Sequence, residues 1–455
     1  MRSFLLLLVL CLAPALFAAE PKPNIVLVFI DDMGCTDLGC YGSKFYETPN
    51  VDRLAREGMR FTQAYSACTV CSPSRAALMT GKTPAALKVT DWIAGHQRPF
   101  AKLRVPDWKM YLPPEEETIA EALHRVGYVS AHIGKWHLGP EPATTHGFDV
   151  TIADNGKGQP ASYLSPYKNP NLPDGPPGEH LSDRLTSEAV HFIEQNKEKP
   201  FFLYLAHYAV HTPLGGKPEV IEKYKNKPHD DQQKNPAYGS MVESADDSVG
   251  RLRAKLDELK LTERTIFIFF SDNGGLLPIT YNYGVRAGKG SAYEGGVRVP
   301  LIVCWPGVTR PGSESAVPVI GYDWFPTLIA AAGVKSPAAP EGVSLLPVLR
   351  GGTLPDRPLF WHYPHYHPGG ATPYSAIREG PWKLIEFFED GHLELYNLHD
   401  DPLEQHDLAA APGVGKAAEL KAKLDAWRQK VGAQMPTPNP DFDAEKDKQQ
   451  PRKKK

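Results

Sequence analysis

The chain has 455 residues, a formal net charge of −3, and 42% hydrophobic against 23% charged residues. That balance excludes a disordered chain and a globally basic nucleic-acid binder, and the length allows one large domain with an appendage or two to three average ones. Six cysteines are too few to staple a scaffold of this size.

In chain order, the first feature is Met1-Arg2, followed by nearly unbroken apolar residues from Phe4 to Leu12 and small residues around Ala15–Ala19. The run is shorter than the about 20 residues that cross a bilayer, and its flanks are those of a cleaved secretory signal. Residues 1–19 are read as that signal, and the mature chain as exported to a periplasm or the exterior, without a transmembrane segment. Leu10 is bulkier than the residue that usually precedes a lipidated cysteine, which disfavours an anchor at Cys11. Export leaves Cys35, Cys40, Cys68, Cys71 and Cys304. The number is odd, so one thiol stays outside any complete pairing and is available for chemistry.

Several short apolar runs then end in chemically capable residues. Ile25–Ile30 ends at Asp31-Asp32, Tyr128–Ile133 at Gly134-Lys135-Trp136-His137, Phe201–Ala206 before His207 and His211, and Ile266–Phe270 at Ser271-Asp272-Asn273. Near-continuous apolar runs predict parallel strands buried on both faces. Helical patterns such as Glu117–Arg125 and Ser182–Asn196 lie between them, which predicts an α/β sheet. In such sheets ligands sit beyond the carboxyl ends of the strands, where all four polar clusters fall. After about residue 350 the texture changes: short strands are expected at Tyr374–Ile377, Trp382–Phe388 and Glu394–Tyr396, and a helix at Gly415–Val431. The reading is a main α/β domain over 20–350, a smaller α+β subdomain with an antiparallel sheet over 351–433, and a Lys-rich tail over 434–455 expected to be disordered. No internal repeat is present.

Asp31, Asp32, Asp272 and Asn273 are hard oxygen ligands at strand ends. Clustered carboxylates repel one another unless a cation lies between them, and oxygen ligation selects calcium or magnesium over zinc. Cys68-x-x-Cys71 suggests a redox or zinc pair, but zinc needs two further soft ligands, and the spacing of Cys35 and Cys40 supplies them only loosely. Arg75, Lys135 and Lys289 bring positive charge, and His137 and His211 titrate near neutrality. A metal, several cations and two histidines make a pocket for an anion undergoing group transfer; a phosphate or sulfate ester fits. Cys71, ahead of a helix expected at 72–79, would stand at a partially positive helix end.

Cys71-Ser72-Pro73-Ser74-Arg75, with Leu78 and Thr80-Gly81, resembles the Cys-x-Pro-x-Arg signature of type I sulfatases. The resemblance continues in order through "IDDMG" (30–34), "GKWHLG" (134–139), "VHTP" (210–213), "SDNGG" (271–275), "GKGSAYEGGVRVP" (288–300) and "LYNLHDDPLEQHDL" (395–408). It implies an alkaline-phosphatase-like α/β sandwich with a large mixed, mostly parallel sheet. In this family the signature cysteine, here Cys71, is oxidised by a separate maturation enzyme to Cα-formylglycine. Its hydrate attacks sulfur through one hydroxyl and expels sulfate through the other. By matched position, Asp31, Asp32, Asp272, Asn273 and modified Cys71 would bind one calcium ion. Arg75 and Lys135 would orient the nucleophile, His137 would take the proton that drives sulfate elimination, and Lys289 and His211 would bind sulfate and protonate the departing oxygen. The segments "VTDWIAGHQ" (89–97) and "LAHYAVHTP" (205–213) are similar to bacterial enzymes of the arylsulfatase A and N-acetylgalactosamine-sulfatase type, so a sulfated carbohydrate, with terminal galactose or N-acetylgalactosamine, is the expected substrate.

Some assignments stay open at this level. His207 competes with His211 for the acid role. Arg286 is either a sulfate contact or a partner of Glu294, and Cys68 is read as a small buried residue. Trp92, Trp108, Arg98, Lys102 and Arg104 suit a sulfated glycan or simple surface packing. "WHYPHYHP" (361–368) reads as a pocket rim or a histidine tract for metal. The rival functions are a formylglycine-dependent phosphonate or phosphate ester hydrolase and a catalytically inactive glycan-binding homologue.

Overall fold

A computed structural model describes residues 22–229, 232–335, 340–411 and 415–449. Its main sheet has eight strands: β1 (Asn24–Ile30), β2 (Met59–Phe61), β3 (Val129–Gly134), β4 (Val150–Ile152), β5 (Phe201–Ala206), β6 (Thr265–Ser271), β7 (Leu301–Cys304) and β8 (Ser313–Ser315). Their order is β8-β2-β7-β6-β1-β5-β3-β4. Only the pairs that β7 makes, with β2 and β6, are antiparallel; β1 runs parallel to both β5 and β6, and β3 parallel to β5 and β4. The sheet is therefore mixed and mostly parallel, as expected.

The period of two in β1 explains the layering. Val26, Val28 and Ile30 pack into one core with the helices Pro49–Glu57, Leu181–Gln195 and Pro236–Glu258, through residues such as Leu54, Leu185 and Val249. Ile25, Leu27 and Phe29 face the other core, built with Cys71–Thr80, Ile119–His124 and Trp324–Ala331 through Leu78, Leu123 and Leu328. The 23-residue helix Pro236–Glu258 starts with Asn235 capping the Tyr238 N–H at 3.2 Å and Pro236 in its first turn.

The second subdomain is an antiparallel sheet of β9 (Leu359–Tyr363), β10 (Tyr374–Glu379), β11 (Trp382–Phe387) and β12 (Leu393–Asn397), paired in chain order. The helix Lys416–Val431 covers one face through Leu420, Leu424 and Trp427. The other face packs Trp361, Tyr363 and Tyr374 onto Tyr65, Cys68 and Val70 of the main domain. The junction is pinned by Lys383, whose ammonium lies 2.9 Å from Glu294 and 3.0 Å from Glu404, all three fully buried.

The expected disorder of 434–455 does not hold for residues 434–449. Thr437–Pro438 pairs antiparallel to Leu103–Arg104, the Asn439 amide donates to Pro99 O at 2.9 Å and Ala101 O at 2.8 Å, and Asp447 pairs with Arg98. The tail's charges, which read as a solvated run, find partners on the irregular stretch 98–104. Residues 450–455 and the signal assigned to 1–19 lie outside the described residues. Among the described residues, no helix is long and apolar enough to cross a membrane, and Cys35, Cys40, Cys68, Cys71 and Cys304 are free thiols.

Candidate active site

Strands β6, β1, β5 and β3 lie side by side and parallel, so the residues that follow them meet at one edge. Backbone hydrogen bonds stitch these strand ends together: Asp31 N–H to Ala209 O (2.9 Å), Asp272 N–H to Ile30 O (3.0 Å) and Lys135 N–H to Ala206 O (2.8 Å). Gly134 has φ +110°, and a Cβ there would fall 2.0 Å from Ala206 O, so only glycine lets β3 turn into Lys135. Asp32 (φ 62°) and His137 (φ 56°) also take left-handed backbone, a strain that concentrates at functional sites.

Three carboxylates and three cations interlock here, all buried except for the partly exposed Lys289. Lys135 Nζ lies 2.5 Å from Asp31 Oδ2, and Lys289 Nζ 2.5 Å from Asp32 Oδ1. Arg75, on the helix Cys71–Thr80, donates Nε (3.0 Å) and Nη2 (2.7 Å) to Asp272 Oδ2 and Nη1 to Lys135 O (3.0 Å). Burial pushes the Asp31 carboxyl well up despite Lys135, and Asp272 and Asp32 add to that push. For Asp32, Lys289 and His211 outweigh burial and hold the carboxyl below the usual carboxylate range.

The residues fit a hard divalent cation. Asp31 Oδ1, Asp32 Oδ2 and Asn273 Oδ1 are buried side-chain oxygens without a hydrogen-bond partner, a costly arrangement unless something else satisfies them. Asp31, Asp32 and His211 form the metal-capable group among the described residues, with candidate ligand atoms within 4.8 Å of one another. A cation there would also keep Asp31 ionised. Asp272 is placed differently: its Oδ1 accepts from Asp32 N–H at 3.2 Å, and its Oδ2 carries Arg75.

Cys71 opens its helix, and its Sγ lies 3.3 Å from His137 Nδ1. His137 Nε2 faces Ile93 O at 2.6 Å. Burial, then Lys135, holds the His137 pKa well below its ordinary value, so the ring is neutral. Gly158 lies against this ring; a Cβ would come within 2.5 Å of it. His211 Nδ1 donates to Thr212 O at 2.5 Å, while Nε2 faces Asp32 Oδ2 at 3.7 Å. Burial, then Lys289, lowers the His211 pKa to about 3. The His211 and Lys289 side chains retain 15% and 9% exposure while Lys135 has none. The site therefore opens on their side.

The structure separates the rival assignments. His207 points away, with Nε2 2.9 Å from Ser248 Oγ. Arg286 does not pair with Glu294: it stacks 3.7 Å over Tyr293 and donates to Tyr396 Oη at 3.2 Å and Glu404 O at 2.6 Å. Cys68 is buried, its thiol pushed up to about 12 by burial, as suits a packing residue. Arg98 and Arg104 are engaged by Asp447 and Asp441, whereas Lys102 is exposed. His362 bonds to Ser375 (2.7 Å) and His365 to Thr90 (2.8 Å), and among the described residues the tract is not part of a metal-capable group. His367 lines, with Lys289, a cavity of about 340 Å³. Two supports of the site carried no sequence signal, because Gly158 and Tyr163 sit in a stretch without periodicity. The Tyr163 hydroxyl lies 2.6 Å from Tyr208 O and 2.8 Å from His211 O, bracing the His211 loop.

Comparison with known proteins matches a family model described as Sulfatase to residues 23–334, and one described as N-sulphoglucosamine sulphohydrolase, C-terminal, to residues 287–430. A sulfatase of Formosa agariphila is 33% identical, covering 91% of this chain and 90% of the relative. The N-acetylgalactosamine-6-sulfatase of Canis lupus familiaris is 36% identical over 78% of this chain and 72% of its own. The crystal structure of Ps i-CgsB in complex with k-i-k-neocarrahexaose superimposes with a TM-score of 0.76 at 30% identity, covering 93% of this chain and 96% of that one.

Proposed function

This chain belongs to the sulfatase family and is a sulfatase, and from that premise we propose that it removes an O-sulfate from a carbohydrate, a terminal galactose or N-acetylgalactosamine sulfate. In this reading a maturation enzyme converts Cys71 to Cα-formylglycine. Asp31, Asp32, Asp272, Asn273 and residue 71 hold one calcium ion. The observation that carries it is the trio of buried oxygens without a hydrogen-bond partner, on Asp31, Asp32 and Asn273, set among cations that also act on Cys71. Calcium supplies positive charge for the sulfate oxygens, and the hydrated aldehyde supplies an oxygen nucleophile.

The chain's own residues do the rest. Arg75, Lys135 and Lys289 balance the three carboxylates, so a divalent ion would leave the site net positive, suited to an anionic ester. Arg75 joins Asp272 to the Lys135 backbone and fixes both relative to residue 71. His137 presents its Nδ1 lone pair to residue 71 and accepts a proton there. Lys289 and His211, on the open side, take the sulfate and the departing oxygen. His211 meets substrate neutral, and the charge of the incoming sulfate favours a proton on Nε2. The N-acetylgalactosamine-6-sulfatase relative supports the sugar class. The sequence at 1–19 supports export to the periplasm or exterior.

Two measurements test the reading. Mass spectrometry of the tryptic peptide 61–75 should show aldehyde or diol at residue 71; thiol alone in fully active protein refutes it. His211→Ala should cost far more turnover on a sugar sulfate, with its poor alkoxide leaving group, than on an activated aryl sulfate. Equal losses would remove His211 from the acid role, and preference for glucosamine sulfates would refute the sugar assignment.

A further inference from the structure

His137 is held by a carbonyl, and that carbonyl by a loop outside the proposed chemistry. A carbonyl oxygen can only accept, so the contact of Nε2 with Ile93 O at 2.6 Å puts the ring proton on Nε2. The Nδ1 lone pair is then left to face Cys71 Sγ. The opposite tautomer would point a proton at residue 71 and leave no base there.

What holds Ile93 O in place is a small buried network. Ile93 N–H donates to Ser72 Oγ at 3.2 Å, tying the loop to the second residue of the Cys71 helix. Asp91, 1% exposed, accepts at Oδ1 from Trp92 N–H (2.9 Å) and from the Tyr363 hydroxyl (2.8 Å). Its carboxyl also takes the His96 N–H, closing the turn that contains Ile93. Around it lie His365, whose Nδ1 is 3.9 Å away, and Trp108, which packs edge-on to His365 at 5.8 Å. Tyr363 is the last residue of β9, so the second subdomain reaches the loop through this hydroxyl and through His365, whose Nε2 lies 2.8 Å from Thr90 Oγ1. Burial pushes the Asp91 carboxyl up to about 8, which makes the protonated acid its main form near neutral pH and asparagine its closest mimic.

We propose that Asp91, together with Tyr363, is a positioning residue for His137: it fixes the Ile93 carbonyl that decides which imidazole nitrogen carries the proton, and so whether a lone pair faces residue 71. Its effect on turnover rests on the base role proposed for His137; its effect on the ring does not.

Heteronuclear NMR of the histidine ring nitrogens, in protein that retains the Cys71 thiol and with His137→Gln to assign the signal, reads the tautomer directly. Wild type should show Nε2–H. Asp91→Ala should show mixed tautomers, and in the matured enzyme should lower kcat about tenfold or more with KM within about twofold. Asp91→Asn, which keeps the acceptor for Trp92 and Tyr363, should keep the wild-type ring signal and most of the turnover. Tyr363→Phe, which removes one hydroxyl, should fall between them. An unchanged ring signal in Asp91→Ala, or in Tyr363→Phe if the alanine variant does not fold, overturns the proposal. So does a loss of kcat with no change in the ring. A changed ring with undiminished kcat would support the positioning and remove His137 from the base role.

Discussion

Replacing Arg75 by lysine keeps the charge and removes the fork. The guanidinium is fully buried, places two donors on Asp272 Oδ2 (3.0 and 2.7 Å) and one on Lys135 O (3.0 Å), and lies 5.2 Å over the Phe29 ring. An ammonium keeps the Coulomb attraction to Asp272 but cannot reach both acceptors. One charge-assisted hydrogen bond is lost, at about 1.5–3 kcal/mol, and the Lys135 carbonyl is left buried and unpaired, at about 1–3 kcal/mol. The expected destabilisation is about 4 kcal/mol, or about 4 °C in melting temperature at an unfolding entropy of about 2.1 cal/mol/K per residue. Arg75→Met, which leaves Asp272 without its buried cation, should fall further, since breaking such a pair costs about 3–5 kcal/mol before packing losses. Circular dichroism melts at one scan rate, beside turnover on an aryl sulfate, give both numbers. A lysine variant that melts within about 1 °C of wild type and turns over normally would refute the bracing role. A methionine variant more stable than the lysine one would show that desolvation, not pairing, governs the site.

Asp272→Ala should lose both bound calcium and activity, read by elemental analysis; stoichiometric zinc, with activity indifferent to calcium removal, would overturn the metal assignment. Cys71→Ala should abolish turnover while Cys68→Ala leaves it nearly intact, and equal losses would contradict the packing role of Cys68. Lys383→Met should destabilise the subdomain junction more at pH 8 than at pH 5. Burial pushes Glu404 up to about 7, and the nearby Lys383, Arg378 and Arg298 outweigh burial to hold Glu294 at about 2. The raised Glu404 contributes stability below its ordinary range that is lost as pH rises through 7; the depressed Glu294 contributes stability above its ordinary range that is lost as pH falls toward 2. Without Lys383 both carboxyls rise, so acid neutralises the clash; melts showing a larger deficit at pH 5 would refute this.

The sheet is legible because three of its strands are buried on both faces and read as almost wholly apolar runs, while a fourth, Val129–Gly134, is interrupted by Ser130 and His132. Asp31, Lys135, His211 and Asp272 follow the ends of these runs in the sequence. The helix Pro236–Glu258 was not singled out, although its buried stripe runs through Val242, Val249 and Leu256, because Gly239, Ser240, Ser244 and Ser248 also lie on the buried side and dilute the period. Side-chain direction was less legible still. His207 and His211 follow the same strand, yet only the turn geometry sends one to Ser248 and the other to Asp32. Pairing with Glu294 is one of two readings that the sequence allows for Arg286, but Glu294 pairs with Lys383, 89 residues away in sequence.

The bracing of 434–449 against 98–104 changes what can be cut from this protein. A charged, proline-bearing terminus is the usual place to trim before crystallisation or to append a purification tag. Here the segment lies on the loop that continues from Asp91 and Ile93. Gln434 O accepts from His362 Nε2 at 2.9 Å, one residue before Tyr363. Shortening the chain to residue 433 would strip the partners from Arg98 and Arg104 and bare one flank of the loop against which His137 is set. A truncated preparation with poor turnover would therefore say more about its missing tail than about its chosen substrate.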